Sequence, residues 1–174
     1  MALISLLLGC GSKNKPIDPK PEAGSAEETD AGPRRIVNSG KTDIQSFRED
    51  GSTAWMMSVA SSRVSLDGAD KEAHVTGVQG EMFEEGKPVS QFSAPNGKVQ
   101  SESRHMVLWG GVTLTSIERG ITLKTDRLTW DEAKSVYVAR GNVWIETKDW
   151  RNGPMPEIWA EPDLEKFGSP EYFK

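Results

Sequence analysis

Few residues in this 174-residue sequence combine the type and the spacing needed for bond-making chemistry. His74 and His105 are the only histidines, and their separation matches no metal-ligand pattern. Asp126 and Asp131 stand close enough to imitate a carboxylate pair, but carboxylates of this kind abound in turns, and a turn role is the expectation. Neither a phosphate-binding glycine loop nor a Ser-His-Asp arrangement can be read. The expectation is therefore a protein that is not an enzyme and uses no cofactor and no metal. One reactive group remains, the thiol of Cys10. As the single cysteine it has no intramolecular partner.

The surroundings of Cys10 assign that thiol a use. An apolar run from Leu3 to Leu8 ends at Gly9-Cys10. The run is too short to cross a bilayer as a helix, but it has the form of the end of a secretory apolar region followed by a small residue. Leu7-Leu8-Gly9-Cys10 resembles a bacterial lipobox, in which the thiol takes a diacylglycerol through a thioether and becomes the mature N-terminus. A small residue before the cysteine lets the peptidase reach the bond. Several acyl chains on one residue would hold a protein to a membrane far more firmly than a single chain. The alternative is an apolar N-terminus with an incidental cysteine.

Between this motif and the rest lies a polar stretch, 11–45, rich in Pro, Gly, Ser, Lys and Glu. It has no large apolar residue between Ile17 and Ile36. Such a segment buries too little apolar area to offset chain entropy and is expected to be a disordered tether, with a span of about 30 Å. The folded domain is then expected over 46–174. All six tryptophans lie beyond residue 50, so core-forming material is concentrated there. The net charge of -5 argues against a nucleic-acid partner, which would require a basic stripe to displace counterions.

Within 46–174 the apolar period is two. Met106, Leu108, Val112 and Leu114 alternate with Val107, Trp109, Gly111 and Thr113, and Ile121 and Leu123 alternate with Thr122 and Lys124. Val136 and Val138 lead to Val143 and Ile145 after a one-residue shift near Arg140-Gly141, which a β-bulge would absorb. Turn signals occur at Asp67-Gly68, Glu85-Gly86, Asn96-Gly97, Arg119-Gly120, Asp131-Glu132 and Asn152-Gly153. No stretch has convincing helical periodicity. The fold class is all-β: a sandwich, barrel or roll of antiparallel strands.

A weak repeat overlies the alternation. Val78-Gln79-Gly80-Glu81-Met82, Leu108-Trp109-Gly110-Gly111-Val112 and Val138-Ala139-Arg140-Gly141-Asn142-Val143 share an apolar, glycine, apolar frame. They are followed by Phe92-Ser93-Ala94, Leu123-Lys124-Thr125 and Ile158-Trp159-Ala160, with a period of about thirty residues at first. The run Val107 to Leu114, the run Gly120 to Asp131 and the strand Gly141-Asn142-Val143-Trp144-Ile145 together resemble the OstA/LptC superfamily, most closely the lipopolysaccharide export type LptC. The resemblance covers roughly 53–162. It implies a single open, twisted antiparallel β-jellyroll that passes lipopolysaccharide through the periplasm, acyl chains inside, and joins neighbouring domains of the same kind edge to edge. The sequence departs from the family at its N-terminus, where a typical member has one transmembrane helix and this chain has the run ending at Cys10.

On that resemblance, one strand face would line an acyl-chain groove built from Met57, Val59, Met82, Phe92, Met106, Leu108, Val112, Leu114, Leu123, Val138, Val143 and Ile145. Each buried methylene contributes about 0.8 kcal/mol without polar recognition, and methionine suits a surface meeting variable chains. Any sandwich core shows the same alternation, so plain packing stands beside this reading. The docking edges would be the first strand, Trp55 to Ala60, and the last, Ile158 to Leu164, where unpaired backbone groups accept a further strand; Pro154, Pro156 and Pro162 would instead blunt the latter. Trp109, Trp130, Trp144 and Trp159 are expected on the opposite face, partly exposed. The expected partners are lipopolysaccharide or a similar lipid, other β-jellyroll proteins of the export system, and a membrane reached through the lipid anchor. The alternative is an assembly lipoprotein that pairs with envelope β-domains and carries no lipid.

Overall fold

A computed structural model describes residues 36–65, 71–100 and 103–173. The motif at Cys10 and most of the expected tether lie outside them. Eleven strands form one antiparallel sheet: β1 (Ile36–Ser39), β2 (Thr42–Phe47), β3 (Thr53–Val59), β4 (Ser61–Ser65), β5 (Glu72–Glu84), β6 (Lys87–Gln100), β7 (His105–Ser116), β8 (Thr122–Asp131), β9 (Val136–Glu146), β10 (Arg151–Ala160) and β11 (Phe167–Gly168). A 3-10 turn, Pro170–Phe173, follows. From β5 to β10 each strand pairs with the next. The expected all-β architecture is the observed one, an open antiparallel β-jellyroll.

The sheet starts earlier than the composition suggested. β1 falls inside the stretch 11–45, where a tether was expected, and β2 begins there. They are polar because they form an edge, and each is covered on one side only: β1 pairs with β4, and β2 with β3. An edge strand needs backbone partners more than a continuous apolar face, so composition under-reads it.

The sheet is bent along a line that crosses every long strand. β3 and β4 lie end to end beside β5, parted at Ala60, which faces Gly77 of β5 (φ 60). Across β6, β7, β8 and β9 the register shifts by one residue at neighbouring places: after Ser93/Thr113, after Trp109/Arg127 and after Lys124/Trp144. At these places β7 carries Gly110 and Gly111 (φ 93 and 98) and β9 carries Gly141 and Asn142 (φ 81 and 46), left-handed conformations that glycine and asparagine adopt most cheaply. The hydroxyl of Thr125 is buried at the bend, 2.9 Å from the carbonyl oxygen of Arg140 and 3.1 Å from that of Gly141. Asn142 Nδ2 donates to Asp126 Oδ2 at 2.8 Å. Asp126 is therefore a mid-strand residue that braces the bend, not a turn residue. The glycine frame of the repeat marks the bend on β7 and β9; on β5 the bend falls at Gly77, not at the Gly80 of the frame.

Two of the expected turns are strand instead. Asn96-Gly97 lies within β6 and Asn152-Gly153 within β10. Gly97 is required by crowding: a Cβ there would stand 2.8 Å from Leu108 Cδ2 and 2.9 Å from Val75 Cγ2.

Candidate functional site

The bend divides the sheet into two walls whose inner faces share one apolar core. Directly paired residues point to the same side of a sheet, so the register lists each wall's inner rows. In the first wall one row runs Val75, Gly97, Leu108, Leu128, Ala139 and Ile158. In the second it runs Met57, Gly80, Phe92, Leu114, Leu123 and Ile145. Farther from the bend, the first wall adds Val99, Met106, Trp130, Tyr137 and Ala160, and the second adds Trp55, Met82, Ser90 and Ser116.

Eleven of the twelve residues expected to line a groove belong to this core: Met57, Val59, Met82, Phe92, Met106, Leu108, Val112, Leu114, Leu123, Val143 and Ile145. Leu108, Leu114, Leu123 and Val143 have 0% of their surface exposed. The space between the walls is filled by the protein's own side chains. Val138 is the exception. It is buried but points to the outer face, beside Thr129 and Trp159, and Tyr137 and Ala139 take the inner positions. The bulge read near Arg140-Gly141 exists, but two successive left-handed residues carry β9 through it without the expected change of face.

Of the four tryptophans expected outside, Trp130 lies in the core, with its ring edge-on to Tyr137 at 5.2 Å. Trp144 stacks under Arg151 at 3.9 Å and Trp159 under Lys134 at 4.4 Å, so both cover the outer face with a cation above.

The edges also differ from expectation. Trp55 to Ala60 is an interior stretch, since β2 covers β3, and Trp55 is 1% exposed. The edge at that side is β1 and β2. On the other side β10 is covered at Trp159 and Ala160 by β11, while its residues from Arg151 to Glu157 have no strand beyond them among the described residues. Pro154 and Pro156 stand in that open part and offer no N–H. Leu164 belongs to no strand; it turns inward and is fully buried. The strand ends at Ala160, and the chain leaves it at Glu161-Pro162, so Pro162 limits this edge as one of the three prolines expected to blunt it.

Three buried polar groups stand among the apolar residues in the part of the core farthest from the bend. Trp55 Nε1, Ser90 Oγ and Tyr137 Oη are buried without a well-formed hydrogen bond within the protein. Ser90 and Tyr137 approach each other across the two walls, and burial pushes the Tyr137 phenol well above the usual range, with Ser90 partly offsetting it. A buried unpaired hydroxyl costs roughly 1 kcal/mol or more. Tyr137→Phe is therefore expected to raise stability by about 1 kcal/mol, read as a higher urea midpoint at unchanged slope. A loss of stability would show that the hydroxyl has a partner. At the rim, Glu84 is raised above the usual carboxylate range by burial first and then by the nearby Asp163. No group of three or more His, Cys, Asp or Glu residues suited to a metal ion occurs among the described residues. No helix among them is long and apolar enough to cross a membrane.

The arrangement is a bent sheet whose two walls pack on one apolar core, with backbone edges open at β1, at β2 and at Arg151 to Glu157 of β10 among the described residues. No curated protein matches the chain. Residues 1–148 match the family described as LptC, lipopolysaccharide-assembly, LptC-related. The match takes in the N-terminal residues and the strands from β1 to β9, and stops in the connection between β9 and β10. A bent antiparallel sheet with an apolar interior and a match over most of its length have one reading: the chain belongs to the LptC-related family of lipopolysaccharide-assembly proteins.

Proposed function

We propose that this protein is a bridge component of lipopolysaccharide transport that takes acyl chains between the two walls of its bent sheet and docks neighbouring β-jellyroll domains along its edges. The family match supports the general role in lipopolysaccharide assembly at the periplasmic side of the envelope. The observation that carries the finer reading is the shared apolar interior, in which Met57, Met82 and Met106 stand among Leu108, Leu114 and Leu123. Their flexible thioethers can repack around an entering chain. The edges left for partners are β1 with β2 on one side and the stretch Arg151 to Glu157 of β10 on the other. The anchor would be a diacylglycerol thioether at Cys10, with the polar residues behind it as the link to the sheet.

The experiment uses the full-length chain with a diazirine analogue of leucine at Leu108 or Leu123, irradiated with purified lipopolysaccharide. The same group at Lys124, which faces outward and pairs with Glu146, is the control. Crosslinks at the two leucines and none at Lys124 are expected. A folded protein that crosslinks at neither leucine would favour the second reading, an assembly lipoprotein that pairs with other β-domains and carries no lipid. The filled interior is the observation on that side: the innermost leucines have no exposed surface for a ligand to meet.

A further inference from the structure

The two walls are joined at the bend, but a second connection closes them at the opposite side. Ala160 pairs with Tyr137 at the far end of the first wall. Three residues later, Asp163 meets Arg119 at 3.2 Å, in the connection between β7 and β8 at the far end of the second wall. Glu165 also pairs with Arg119. Between these anchors Leu164 is fully buried in the shared core, with φ 59, a left-handed conformation that a leucine seldom adopts. The segment then doubles back: Glu161 N donates to Lys166 O at 2.9 Å, and Phe167–Gly168 pair with Trp159 and Ala160.

We propose that residues 161–168 are a displaceable strap, with Leu164 occupying the mouth that the head of an acyl chain takes when it enters between the walls. This rests on the acyl-binding reading above. Three observations support it. The latch is made at the surface, where Arg119 is 38% exposed and ion pairs are weak. The plug holds an unfavourable backbone conformation that release would relax. Toward the same end of the two walls, Trp55 Nε1, Ser90 Oγ and Tyr137 Oη lie buried without a well-formed hydrogen bond, and a leucine can offer them nothing. The ester or amide carbonyl at the head of an acyl chain would accept from such donors. The same segment covers the end of β10, so release would free that backbone edge as the mouth opens.

The test compares the full chain with its Arg119→Ala and Leu164→Ala variants. Amide hydrogen exchange is followed at Glu161 and Leu164, with Leu114 as the control, and binding is followed with the neutral methyl ester of cis-parinaric acid. If the strap must open before the ester enters, apparent affinity scales with the open fraction. Arg119→Ala should speed exchange at Glu161 and Leu164 about five-fold, leave Leu114 unchanged, and tighten ester binding by the same factor. Leu164→Ala should do both by at least about ten-fold. Faster strap exchange with unchanged affinity would remove the strap as a gate and leave the acyl reading standing. Strap exchange no faster than that of Leu114 in either variant would overturn the proposal directly. No ester binding by any form would sink the acyl reading, and the gate with it.

Discussion

Leu114→Ala is expected to lower the unfolding free energy by about 3 to 4 kcal/mol, the largest loss foreseen for a single aliphatic truncation in the second wall. Leu114 is fully buried in the middle of β7 and pairs with Phe92 on one side and Leu123 on the other. Removing its isobutyl group forfeits the transfer free energy of the lost atoms and leaves a hole bounded by stiff strands. A sheet hydrogen-bonded on both sides of Leu114 cannot collapse into that hole, which places the cost in the upper part of the usual range. Urea unfolding followed by tryptophan fluorescence checks this, through a lower midpoint at constant slope. A loss below about 1 kcal/mol would mean that the two walls are not packed on each other at this row. The same variant bears on function. A cavity at Leu114 pre-forms space that an acyl chain must otherwise open, so weaker folding together with tighter lipid binding is the combined expectation.

Gly80→Ala is the second large effect, about 3 kcal/mol, and its cause is crowding instead of a void. Gly80 pairs with Met57 of β3 and Phe92 of β6, and an added Cβ would lie 2.5 Å from the carbonyl oxygen of Met56 and against the Phe92 ring. The ring can move, but the Met56 oxygen belongs to the β3 backbone and can retreat only if β3 does. Combining Gly80→Ala with Phe92→Leu should therefore recover only part of the loss. Full recovery would show that the ring was the whole obstacle. A cost within about 0.5 kcal/mol for Gly80→Ala alone would contradict the close approach of β3 and β5.

The core was largely readable from alternation. In a two-faced sheet every second residue meets the core, and Met106, Leu108, Val112 and Leu114 show this directly. The reading failed where the period breaks. At Gly141-Asn142 the backbone turns through two left-handed residues, and the sequence offers no sign of whether the following face is kept or exchanged; Val138 was placed inside and Tyr137 was missed for that reason. Asn96-Gly97 carries the strongest local turn signature in the chain, yet Gly97 is held in mid-strand because Leu108 and Val75 leave no room for a side chain.

By itself the sequence determined the all-β class, the glycine-marked repeat, the apolar faces of the central strands and the resemblance to the LptC family. Each of these depends on near neighbours in the chain: a period of two, a left-handed residue, a short motif. Only the tertiary structure decided where the edges lie, which way Leu164 turns, and that the glycines of separate strands line up as one bend. Those features depend on pairings such as Ala160 with Tyr137 and Asp163 with Arg119, made between residues far apart in the chain. Their free energy exists only once the two walls have met, so no local pattern of residues could announce them.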